Sequence, residues 1–247
     1  MSSLPSTVRD KQPSSGHGRN GAEPPVRKGG DDFRGGGSPD FGHRMRRARF
    51  GLIAALAPIL TLFVGITVAY VLRHGTSVID PRSQQYIRYW MKVRLPVTLL
   101  LFNTAILLLS SFTMEMARRQ VAQQAALEPL KEIPGLLPRS EWQFPWLGAS
   151  FLLSFAFLVG QGLAWHVLAI RGFFIDTSAS SSFVYLLTGA HAVHLAGGML
   201  VLAYAQAITL MRKNIEYRRI VVDLTAWYWH FMAVLWIYIF ALLYFAR

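Results

Sequence analysis

The sequence predicts an all-α membrane protein: a polytopic bundle of five transmembrane helices, preceded by a polar N-terminal tail that is disordered or extended. Three observations point there. Five apolar windows, roughly residues 50–72, 95–114, 145–169, 182–211 and 224–245, each meet the ~20-residue length that a helix needs to cross ~30 Å of hydrocarbon. Charged residues make up 15% of the 247, against about a quarter in a soluble domain. What charge there is lies in the tail and between the windows rather than within them.

Taken in order, the chain divides into a tail, residues 1–48, and a helical region, 49–247. The tail is rich in Gly, Pro, Ser and Arg and has almost no apolar residues beyond Phe33 and Phe41, so it cannot bury enough surface to offset its ordering entropy. With no apolar core there, no cleavable signal peptide is expected. It ends in the basic run His43–Arg49, which suits an anionic membrane surface. Pro58, Pro96 and Pro145 are expected near helix starts, where a missing N–H matters least. The fourth window is long enough to require tilt or to project from the membrane. The connection 73–94 contains Tyr86, Tyr89 and Trp90, and is expected to lie as an amphipathic segment at headgroup level.

Lys and Arg set the orientation. With the N-terminus inside, the inner segments hold Arg44, Arg46, Arg47, Arg49, Arg118, Arg119, Lys131, Arg139, Arg212, Lys213, Arg218 and Arg219, which is twelve. The outer side holds Arg73, Arg82, Arg88, Lys92, Arg94, Arg171 and Arg247, which is seven. The expectation is therefore a cytoplasmic N-terminus and an outer C-terminus. The net charge of +12 is explained by this topology rather than by a folded basic surface, so nucleic acid is not an expected partner.

Polar residues in hydrocarbon each need a partner or a purpose. The third window has Gln161 and Trp165 one turn apart, suited to helix-to-helix hydrogen bonding. The fourth has Thr188, His191 and His194, with Gly197 and Gly198 permitting close approach of a neighbour. The fifth has Tyr228, Trp229, His230 and Trp236. Three histidines on two helices invite a haem or metal reading. Glu115, Asp176 and Asp223, however, fall near span ends, and the histidines approach from opposite sides, so packing hydrogen bonds are the favoured assignment. The absence of cysteine excludes disulfides, thiolate sites and iron–sulfur clusters. Ser110, Ser111 and Ser180–Ser182 have no base-and-acid arrangement beside them. Neither a Gly-rich phosphate loop nor the buried charges of a transporter are evident.

These residues resemble subunit III of haem–copper terminal oxidases, in its five-helix bacterial form. Ser110-Ser111-Phe112-Thr113 through Ala117 is similar to that family's Ser-Ser-x-Thr-x-x-x-Ala signature. Trp146-Leu147 through Phe157, Gln161 and Trp165 follows its third-span pattern. Thr188-Gly189-Ala190-His191-Ala192-Val193-His194 resembles Thr-Gly-x-His-x-x-His, and Tyr228-Trp229-His230-Phe231 with Trp236 matches the last motif. Two positions depart: Ile59 stands where the family carries a membrane Glu, and Met232 and Ala233 stand where an Asp follows Tyr-Trp-His-Phe.

The resemblance implies a non-redox subunit of a proton-translocating oxidase in the bacterial cell membrane. Such a subunit binds no haem or copper itself. Those cofactors are expected in the partners, subunits I and II, with further respiratory subunits in a supercomplex. It supports assembly, lipid binding and proton uptake. His191, His194, His230, Gln161, Trp165, Trp229 and Tyr228 are the expected structural or phospholipid-binding polar residues, with no catalytic residue among them. An accessory subunit of a nitric oxide reductase system, a stand-alone membrane transporter and a haem-carrying membrane anchor are the alternatives.

Overall fold

A computed structural model describes residues 40–74, 78–79, 86–87, 96–128, 145–175 and 179–245. Five helices dominate it: α1 (Phe41–His74), α2 (Val97–Leu127), α3 (Trp146–Ile170), α4 (Ala179–Leu210) and α5 (Ile215–Phe245). All five are long and apolar enough to cross a membrane. Between α1 and α2, β1 (Val78–Ile79) pairs antiparallel with β2 (Tyr86–Ile87), so Tyr86 sits in a short ribbon where an amphipathic segment was expected. Tyr89, Trp90 and tail residues 1–39 lie outside the described residues.

Three helices outrun their apolar windows. α1 begins at Phe41, so Arg44, Arg46, Arg47 and Arg49 are helical residues rather than the end of a tail, and Pro58 lies well inside the helix instead of near its start. α2 continues past its window to Leu127, through good helix formers and the i,i+3 and i,i+4 pairs of Glu115 with Arg118 and Arg119. α5 starts at Ile215, where Asn214 Oδ1 accepts the Glu216 N–H at 3.0 Å and Glu216 complements the helix dipole. Hydropathy windows stop at the first charges, but the backbone does not.

The α3 C-terminus closes on Gly172 at φ +80, with Phe173 N–H bonded back to Leu168 O at 3.1 Å. This left-handed stop favours glycine. α2 packs chiefly on α3 and α5, and α4 on α5 and α3, while α1 leans on α5 and α4 from outside. Only 6% of the most apolar α1 window is buried, against 33–39% in the others. α1 enters the core through Phe63 and Tyr70. Met45 is also buried and Ile59 and Ile66 pack partly buried against the core, while the other large apolar side chains of α1, among them Phe50, Ile53, Leu60, Val64 and Leu72, face outward, as lipid or a neighbouring subunit requires.

Candidate functional site: polar seams and a charged cluster

The Ser-Ser-x-Thr stretch of α2 is a hydrogen-bonding hub. Ser110 Oγ donates to Ser150 O at 3.1 Å, lies 3.1 Å from Ser154 Oγ, and accepts the Trp229 indole N–H at 3.1 Å. Thr113 Oγ1 lies 2.8 Å from Ser150 Oγ. Further along the seam, Thr104 Oγ1 accepts the Trp236 indole N–H at 2.9 Å, and Ser111 Oγ shares a 2.5 Å hydrogen bond with His230 Nδ1. Thr104 thus meets Trp236 while Ser110 and Ser111, further along α2, meet Trp229 and His230 nearer the start of α5, as two antiparallel helices require. Such bonds contribute about 0.6 kcal/mol each in membranes, so their number and geometry matter more than any single one.

The other seams use single ties. Trp165 donates its indole N–H to Thr188 Oγ1 at 3.1 Å, joining α3 to α4. Tyr228 donates its hydroxyl to His194 O at 2.8 Å, joining α5 to α4. His194 Nδ1 donates to the Ala190 carbonyl of its own helix at 2.7 Å, and its ring meets Phe63 of α1 edge-on at 5.8 Å.

The expectation of a buried hydrogen bond at His191 is not met. Its ring is fully buried, 5.2 Å from the Trp236 ring and 6.1 Å from Phe157, and neither ring nitrogen has a partner among the described residues. It acts as an aromatic wedge. His191→Leu should therefore shift the stability of the purified subunit by no more than about 1 kcal/mol, because no partner is stranded and only ring packing is lost. Thermal unfolding in detergent checks this, and a loss as large as that from Trp236→Ala would show that the imidazole nitrogens matter.

The three histidines therefore face three surroundings: His191 the Phe157–Trp236 stack, His194 the α1 surface, and His230 the α2 seam. Gln161 is 2% exposed, and its Oε1 has no partner among the described residues. Asn103 is 1% exposed, with both amide atoms unpartnered among the described residues. Its Oδ1 occupies the space beside Gly160, only 2.3 Å from where a Cβ would stand.

Charge gathers at one end of the bundle. Asp223, 5% exposed on α5, accepts Arg49 Nε at 2.8 Å and Nη2 at 3.0 Å, a two-pronged pair with α1, and Arg118 Nη1 at 3.3 Å from α2. Glu115 accepts Arg118 through both carboxylate oxygens at 2.7 and 2.8 Å, and Arg119 at 2.8 Å. His230 Nε2 lies 3.6 Å from Glu115, and the Arg49 guanidinium stands 6.0 Å from the Trp227 ring. The cluster links α1, α2 and α5 while Arg49, Arg118 and Arg119 keep substantial exposure.

Sequence reasoning placed Asp223 and Glu115 at span ends and did not see them as one cluster, because Arg49 and Asp223 are 174 residues apart. It also missed Ser150 and Ser154. There a signal existed: small polar residues at i and i+4 on the face that continues through Phe157 and Gln161. Among the described residues no group of three or more His, Cys, Asp or Glu converges as metal ligands would.

Apolar helices joined by hydroxyl, indole and imidazole seams, with charge drawn to one end, define a multi-pass membrane subunit. Comparison with known proteins makes the assignment particular. Residues 43–247 match the family model for cytochrome c oxidase subunit III, and the chain belongs to that family. It is 27% identical over 209 residues to a probable cytochrome c oxidase subunit 3 of Nocardia farcinica, covering 83% of this chain and 91% of that one. It is 33% identical over 102 residues to a probable cytochrome c oxidase subunit 3 of Mycobacterium leprae, where the match covers 41% of this chain and half of the relative. A cytochrome bo(3) ubiquinol oxidase subunit 3 of Pseudomonas aeruginosa is 28% identical over 144 residues, covering 58% and 62%. As a family member the chain is a component of an oxidase complex and pairs with other oxidase subunits.

Proposed function

We propose that this chain is the non-redox subunit III of a proton-translocating haem–copper terminal oxidase, packed against subunits I and II, with its N-terminus cytoplasmic and its C-terminus outside. The observation that carries the reading is the use made of the family motifs. Ser110, Thr113, Thr188, Trp165, Tyr228, Trp229 and Trp236 are engaged in helix-to-helix hydrogen bonds. A subunit whose motif hydroxyls and indoles are absorbed in its own seams supports a catalytic neighbour by shape and lipid contact rather than by redox chemistry of its own. The outward apolar face of α1 and the exposed side chains of α2 and α4 offer the surface for such neighbours and for acyl chains.

Lipid binding and support of proton uptake belong to the same reading. Arg49, Arg118 and Arg119 are partly exposed at one end of the bundle beside Trp227, a combination suited to an anionic headgroup at the inner interface. Helix α1 reaches this end through the basic turns Arg44–Arg49, consistent with the excess of Lys and Arg counted for a cytoplasmic N-terminus.

The decisive experiment is purification of the tagged chain in mild detergent, with mass spectrometry of what accompanies it and a haem spectrum of the preparation. Subunits I and II should co-purify with stoichiometric haem, and the spectrum should vanish when they are stripped away. Recovery with nitric oxide reductase subunits, or a haem spectrum retained by the isolated chain, would sink the reading.

A further inference from the structure

Toward the end of the bundle opposite the Asp223 cluster, a cavity of about 20 Å3 lies between α2, α3, α4 and α5. It is bordered by Pro96 just before α2, by Leu168 near the end of α3 and by Leu243 near the end of α5. Most of the lining is apolar; the exceptions are Gln161 and Trp165 of α3, Thr188 of α4 and Trp236 of α5. Both indoles are committed elsewhere, Trp165 to Thr188 Oγ1 at 3.1 Å and Trp236 to Thr104 Oγ1 at 2.9 Å. Thr188 gives its own hydroxyl hydrogen to Val184 O at 2.7 Å, which leaves Oγ1 one lone pair still to be used. Gln161 lines the same cavity with an amide that is almost wholly buried and whose oxygen has no partner among the described residues.

We propose that this cavity is a water-binding site, in which one ordered water bridges the Gln161 amide to Thr188 and so completes the joint between α3 and α4. Size selects the ligand: a water needs about 10–15 Å3 of such space, so the cavity has room for about one. Polarity decides whether the water stays. A purely apolar cavity of this kind remains dry, whereas a buried water is held where it finds two to four polar partners. Here it finds two, donating one hydrogen to Gln161 Oε1 and the other to the remaining lone pair of Thr188 Oγ1. An amide bare of hydrogen bonds is costly in a low-dielectric interior, and the bridging water removes that cost without moving either helix. Asn103 marks the contrast: its amide is equally buried and unpartnered among the described residues, but it does not line the cavity. The inference rests on the packing of these helices and not on the place of the chain in an oxidase.

The test is water-to-amide magnetisation transfer by solid-state NMR. The full chain, labelled with 15N at its glutamine and asparagine side chains, is measured in its purified complex in deuterated lipid. Gln161→Leu and Asn103→Leu assign the two signals by their disappearance. In the parent chain the Gln161 amide should receive magnetisation from water at short mixing times, and the Asn103 amide should receive none. Thr188→Val keeps the side-chain shape but removes the second partner of the water, so the Gln161 transfer should be lost. Thr188→Ser keeps the hydroxyl and should retain it, which separates loss of the water from a disturbed fold. No transfer to Gln161 in the parent chain would overturn the site. So would equal transfer to Asn103, which would mean general water penetration, or an unchanged Gln161 signal in Thr188→Val.

Discussion

Gly198→Ala should destabilise the bundle by about 1–3 kcal/mol, as overpacking of a close helix contact does. A Cβ there would stand 2.6 Å from Tyr228 Cε1 and 3.2 Å from Trp229 Cζ3. Neither ring can retreat. Tyr228 is tied through its hydroxyl to His194 O, and Trp229 is fully buried with its indole N–H held by Ser110. The adjacent glycine is the control, for a Cβ at Gly197 meets nothing within 4 Å. Gly197→Ala should be neutral or slightly stabilising, since alanine favours a helix by up to ~1 kcal/mol over glycine. Thermal unfolding of both variants in the same detergent separates the outcomes. Equal behaviour would mean that α4 and α5 do not approach as closely as described.

Asp223→Ala is expected to release α1 from the bundle and to cost about 2 kcal/mol. Removing one partner of a fully buried ion pair costs ~3–5 kcal/mol because it strands the other charge. Here the Arg49 side chain is 44% exposed and can find water, and Arg118 keeps Glu115, so the cost is discounted. The effect should be local. Other contacts between α1 and the bundle are Met45, Ile59, Phe63 and Tyr70, the hydrogen bond that Tyr238 donates to Thr67 at 3.0 Å, and two looser ones near its start, Arg44 3.9 Å from Glu216 and Arg219 5.1 Å from the Phe41 ring. Hydrogen exchange should therefore quicken along residues 41–60 while α2, α3 and α5 stay protected. Uniform loosening of all five helices would contradict the peripheral placement of α1, and no change would show that the Arg49 pair contributes nothing.

Ile59 deserves comparison with its expected neighbours. The sequence departs there from a membrane glutamate, and the side chain packs half-buried against the core rather than facing lipid. Its position explains why an apolar residue is comfortable: a carboxylate at that place would need a partner from within the bundle.

Much of this protein was determined by its sequence alone. Length and hydropathy set five spans, because the thickness of the hydrocarbon core admits few alternatives and an unsatisfied backbone inside it is too costly. Spacing set the face of α3 that carries Gln161 and Trp165, and local motif identity set the family. Other features were out of reach. Helix ends are decided by caps, good helix formers and charge pairs beyond the hydrocarbon, so α2 and α5 overran their windows. Which polar residues meet depends on rotation and register between helices that are far apart in the chain. Ser110 with Trp229 and Arg49 with Asp223 arise only when helices distant in the chain are docked. His191 shows the limit most clearly: its residue type promised a hydrogen bond, and tertiary packing placed it where aromatic rings rather than polar groups surround it.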